Sequence, residues 1–191
     1  MSRSLLRRVV LTAIAGAAVL GVSACAKSVP VLSGTAPDPT RRIDELYDRG
    51  VAGHDLLLVV AGAPFAVPEG DFAEAVEHAA RVTPPGRQPV QAALHPGVSA
   101  YGGYKLVLVF NPPKVLSGEA LCAEHVPAGG GPATVVRVSG AFCIGGTAYT
   151  QVDGEVAATG PADKAFRNLV QQVVVALFRL DVPITPGSGR S

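Results

Sequence analysis

The sequence predicts a single α+β domain in which helices pack on a mixed or mostly antiparallel sheet of about four strands. Three observations predict it. Two bare apolar runs, Leu56 to Val60 and Lys105 to Phe110, have the length of buried strands and stop at glycine or proline. Residues 134 to 157 alternate apolar and polar side chains about Gly145 and Gly146, the pattern of a hairpin. Apolar residues recur at helical spacing in 71–82 and again from Phe166 to Leu177, which gives the sheet a cover.

The domain is placed at 41–182. Behind Thr40, a candidate N-cap, Ile43, Leu46 and Tyr47 fall on one helical face up to Gly50. Leu56 to Val60 follows as a strand between Asp55 and the Gly62, Pro64 breakers. Asp71 with Glu74 is a capping signal for the next helix, whose Phe72, Val76 and Ala79 oppose Glu77, His78 and Arg81. Pro84 and Pro85 end it. Residues 83–103 read as irregular, with Val90 to Leu94 a candidate short strand, before Lys105 to Phe110.

In the hairpin, Val136, Val138 and Phe142 oppose Arg137 and Ser139, and Ala148, Thr150, Val152 and Val156 oppose Tyr149, Gln151, Asp153 and Glu155. Pro161 is expected to open the last helix, on which Phe166, Leu169, Val170, Val173, Val174 and Leu177 make a wide apolar stripe. Its opposite face carries few cations, so the stripe is read as core rather than as a membrane-surface helix. Residues 183–191 read as a disordered tail. With 48% hydrophobic and 16% charged residues, and glycine plus proline at about one residue in five, the chain fits one ordinary globular domain.

Residues 1–24 have the build of a cleaved signal peptide. Arg3, Arg7 and Arg8 form a basic head, and an uncharged run from Val9 to Ala24 follows it. That run is shorter than the roughly 20 residues of a stable membrane span. At its end Val22, Ser23, Ala24 and Cys25 resemble the lipobox of bacterial lipoproteins, with all four positions matched. The resemblance covers the first 25 residues and does not extend to the domain. It implies that Cys25 becomes the first mature residue, carries a diacylglycerol on its sulfur and is acylated on its nitrogen, with palmitate as the expected fatty acid. Two or three chains hold a protein to a membrane stably, at about 0.8 kcal/mol per buried methylene. The next residue is Ala26 rather than aspartate, which by the same resemblance implies the outer membrane, facing the periplasm, if the host is Gram-negative. Residues 25–40 hold Pro30, Gly34, Pro37 and Pro39 without sustained period and read as a lipidated tether.

Three of the 16 basic residues and none of the 15 acidic ones lie in the signal segment, so the mature chain is left slightly acidic. No run of lysine or arginine remains beyond the pair Arg41 and Arg42. Nucleic acid is therefore not an expected partner. With Cys25 lipidated, Cys122 and Cys143 are the two remaining cysteines in an oxidising compartment, and a disulfide between them is expected, with a free thiol pair as the alternative.

Few residues fall into a motif that carries chemistry. Gly97, Val98 and Ser99 begin a nucleophile elbow, but Tyr101 stands where its second glycine is required. His54, His78, His95 and His125 show no metal-binding spacing, and Glu124 with His125 beside Cys122 make too small a ligand set once the cysteine is bridged. Gly129, Gly130 and Gly131 lack the lysine of a phosphate loop and read as a flexible loop. No cofactor, metal site or catalytic residue is assigned. In the segment 95–104, Tyr101 and Tyr104 flank two glycines and offer a candidate partner contact, against the plainer reading in which they edge the core. The expectation is a non-catalytic cell-envelope lipoprotein: a membrane-anchored accessory or binding protein with an envelope protein as its partner. The alternative is an envelope hydrolase with an unrecognised active site.

Overall fold

The structure, a computed structural model, describes residues 30–35, 43–97 and 102–178. In chain order the elements are β1 (Val31–Thr35), α1 (Ile43–Gly50), β2 (Asp55–Ala61), α2 (Glu69–Ala80) and β3 (Gln91–Ala93). They continue as β4 (Tyr104–Phe110), α3 (Gly118–Cys122), β5 (Val135–Ile144), β6 (Thr147–Ala157) and α4 (Lys164–Leu177). One open, mixed sheet runs β1-β6-β5-β4-β2-β3, with β2 parallel to β3 and β4 and every other pair antiparallel.

The α+β class and the mixed sheet match the expectation, but the described residues form six strands rather than about four. The candidate strand at 90–94 is β3. The second addition, β1, arises inside the stretch read as tether, so that reading is corrected for residues 31–35. Five residues are too few to show an alternation, and Pro30 and Gly34 disguise them. Proline just ahead of an edge strand removes no ladder hydrogen bond, and β6 supplies the pairing from Val31↔Glu155 to Thr35↔Gln151.

Alternation divides the sheet into two unequal faces. On the first, Leu56, Leu58, Leu106, Leu108, Val136 and Val152 point at α1, α2 and α4 in one continuous core. Phe72, Phe110 and Phe166 meet at its centre with ring centroids 5.0 to 5.8 Å apart. The helix α4 lies close because Gly154 leaves room for it: a Cβ there would sit 2.8 Å from Leu169 Cδ1 and from Leu32 Cδ2. The last helix begins at Lys164 rather than at Pro161, and its cap is Asp163, whose carboxylate accepts from the Ala165 N–H at 2.9 Å. Similarly, α2 begins after Pro68 with no side-chain cap, two residues before the Asp71 signal.

The second face carries a smaller cluster of Val107, Val109, Leu116, Leu121 and Ala141, closed by the disulfide Cys122–Cys143 with Cα atoms 5.5 Å apart. Among the described residues its one helix is α3, five residues capped by Ser117, whose hydroxyl accepts from the Ala120 N–H. Gly129 to Gly131, expected as a flexible loop, form instead a strap across the ends of β2 and β4. Gly130 N–H donates to Phe110 O and Ala63 N–H donates to Gly130 O. A Cβ on Gly129 would overlap backbone atoms of Gly62, Phe110 and Ala61, so the glycine serves close approach.

Candidate functional site

The five residues of α3 cover only part of the second face, and the uncovered part is the candidate site. Its floor consists of two rungs across β5 and β6, Ser139 with Asp153 and Arg137 with Glu155, and on the β1 side Ser33 and Val31 extend these rungs into a wall. A register irregularity sets these rungs. From the turn, Ile144 pairs with Thr147 and Cys143 with Ala148, but Phe142 pairs with Thr150, so Tyr149 is an extra residue in β6. Without it Ser139 would stand opposite Val152, a core residue. The bulge also corrects the expected alternation, because Ala148 joins the second-face cluster while Tyr149 packs against the first.

Ser139 is only 3% exposed, and its hydroxyl donates to Asp153 Oδ1 at 2.5 Å. A hydrogen bond from a buried hydroxyl to a charged group satisfies both and fixes the carboxylate's orientation. Asp153 Oδ2 has no partner among the described residues. Arg137 Nε lies 3.5 Å from Glu155 Oε2 on the neighbouring rung, an exposed pair of little energetic weight.

The wall is the turn that leaves β4. Asn111 has φ 46°, in the left-handed region where asparagine is among the better tolerated non-glycine residues. Its side chain holds the turn from both ends: Nδ2 donates to Gly131 O at 2.8 Å and Oδ1 accepts from Arg137 N–H at 2.9 Å. Pro112 and Pro113 then stiffen the chain, and Lys114 and Val115 project at the rim. Leu116 turns back inside and its carbonyl accepts from Gln151 Nε2 at 2.7 Å, which closes the cleft toward α3. The cleft is half open to solvent, and its volume of about 540 Å3 is within the range of small-molecule sites.

Two of the exposed large apolar residues belong to this cleft, Val31 at 63% and Val115 at 86%. They stand on opposite walls. No histidine lines the cleft, so Ser139 has no imidazole there to take its proton, and its hydroxyl is already committed to Asp153. The arrangement suits holding a ligand: apolar walls, a fixed carboxylate in the floor and a lysine at the rim.

The residues singled out from sequence fall elsewhere. Cys122 and Cys143 are bridged. Cys25 and Tyr101 lie outside the described residues, as do Thr40, Arg41, Arg42 and 183–191. Tyr104 is the first residue of β4 and 7% exposed, with its ring 5.9 Å from that of Phe142 and laid directly over Gly50. That burial corrects its assignment as a partner contact and is the core-edging role, since a ring already packed has little surface left to offer. His78, His95 and His125 are exposed. Sequence reasoning missed the cleft altogether. Its residues come from three strands and a turn, and the one available signal was the hairpin itself, in which Ser139 and Asp153 were both assigned to the polar side.

No family model, curated protein or solved structure matches the chain. Among the described residues no helix is long and apolar enough to cross a membrane.

Proposed function

We propose that the protein is a non-catalytic lipoprotein of the cell envelope, held by lipid on Cys25, whose domain binds a ligand or partner through the cleft beside Pro112–Val115. The observation that carries the binding reading is the exposure of Val31 and Val115 on facing walls of a cleft with a polar floor. An exposed apolar side chain leaves its burial energy available to whatever covers it, and two on one cleft support a contact surface. The complete lipobox supports the anchor, and the proline-bearing stretch before β1 supports a spacer between membrane and domain.

The test uses the membrane-attached protein. Val115→Arg should leave the fold and membrane attachment unchanged while removing whatever species is cross-linked to the wild-type domain; equal cross-linking in both would sink the cleft as the binding surface. Cys25→Ser should shift the protein out of the membrane fraction or leave it unprocessed, and unchanged attachment with unchanged mature mass would remove the anchor. Turnover of a bound ligand that depends on Ser139 would replace this reading with the hydrolase.

A further inference from the structure

Resting on the reading of the cleft as a binding site, we infer that its ligand is a small zwitterion of amino-acid or short-peptide type, with its ammonium group on Asp153 and its acid group toward Lys114. Three observations lead there. First, Ser139 holds Asp153 Oδ1 from a position 3% exposed, so the carboxylate is fixed and Oδ2 is the atom it presents to the cleft. Ser33 stands on the other side of it in the same rung, an exposed hydroxyl able to accept from a second ammonium proton.

Second, the charges of the cleft are unequally engaged. Arg137 and Glu155 face each other and balance. Lys114, exposed on the rim, and Asp153, in the floor, form no ion pair among the described residues. One unmatched anion and one unmatched cation are complementary to a ligand that carries both signs, whereas a simple amine or a simple acid would leave one of them unanswered. Third, the surface between them is apolar. Val31, Pro112, Pro113 and Val115 offer contact to an aliphatic side chain, and about 540 Å3 accommodates more than a single amino acid.

The probe is L-leucyl-L-leucine, titrated by calorimetry into the full lipidated protein in detergent. It is compared with N-acetyl-dileucine, which lacks the ammonium, and dileucine amide, which lacks the carboxylate. Saturable binding of dileucine is expected, weakened about tenfold or more by N-acetylation, because the lost contact is a charge-assisted hydrogen bond. Asp153→Asn should weaken dileucine by a similar factor and leave N-acetyl-dileucine unaffected. Lys114→Ala should weaken dileucine but not its amide. Asparagine can still accept from Ser139, and Lys114 is on an exposed turn, so retained far-ultraviolet circular dichroism and an intact disulfide separate ligand loss from unfolding. No saturable dileucine binding overturns the inference, and so does binding indifferent to N-acetylation or to Asp153→Asn. If those results come with a species still removed from the wild-type cross-link by Val115→Arg, the cleft binds something other than a zwitterion; if Val115→Arg changes nothing either, the binding reading itself falls.

Discussion

The two faces of the sheet are built from the same strands and treated differently. The first is roofed by α2 and α4, helices of 12 and 14 residues, and its core includes eight phenylalanine or tyrosine rings that are fully buried or nearly so. The second has a five-residue helix, a strap of glycines, a disulfide and a cleft. Burial of aromatic side chains on the first face contributes the larger share of stability, since each large apolar side chain is worth about 1.5 to 3 kcal/mol. Part of the second face is thereby left uncovered, as a cleft. A cross-link suits the thin side, because it restrains the unfolded chain and asks for little area.

The largest expected effect tests the thick face. Phe166→Ala should cost about 3 to 5 kcal/mol in denaturant unfolding, since its ring touches Phe65, Phe72 and Phe110 at once. A loss under about 1 kcal/mol would mean that this face collapses readily and would erase the contrast. Next comes the thin face: replacing Cys122 and Cys143 together by alanine should cost about 3 kcal/mol, and reductant should destabilise the wild type but not the double variant. Equal melting temperatures with and without the bridge would show that packing alone holds the face.

A smaller effect sharpens the account of α4. Hydrogen bonds from Ala165 and Thr159 hold the Asp163 carboxyl below its ordinary value of 3.8. A lowered folded value means that the stabilisation is present above the ordinary value and fades as pH falls through the depressed one. Asp163→Ala should therefore cost about 1 kcal/mol at neutral pH, and the gap between variant and wild type should shrink in acid below the ordinary value. A gap constant with pH would assign the loss to packing. Last, Val115→Ser should alter stability by less than about 0.5 kcal/mol, because the side chain is 86% exposed. A large loss there would contradict the division of labour between the faces.

The same contrast explains what could be read from the amino acids. Phe166 to Leu177 and Phe72 to Ala79 announce the first face, because a stripe against a sheet imposes a period on the chain, while the run in β4 announces only that the strand is buried on both sides. Nothing comparable marks the second. A five-residue Gly118–Cys122 is too short to repeat, and β1 hides its pairing behind Pro30 and Gly34. Ser139 and Asp153 were visible as polar hairpin residues, but their meeting depends on Tyr149 being an extra residue, and a one-residue shift of register lies below what alternation resolves. Tyr104 reads as a candidate contact for a related reason: a neighbouring pair of glycines looks like a loop, although the strand already begins at the tyrosine and its ring takes the alternative, core-edging place.

The edge position of β1 has a mechanical side. It is the first strand of the sheet, so any load borne by the chain ahead of Pro30 arrives on a ladder of five paired residues, held on one flank by β6. Such a strand can peel residue by residue while the helices of the first face remain seated. The residues it would carry away include Val31 and Ser33, one wall of the cleft. Pulling on the amino-terminal end would thus open the cleft before it unfolds the domain, and anything that bridged Val31 to the far wall would hold the strand in place against the pull.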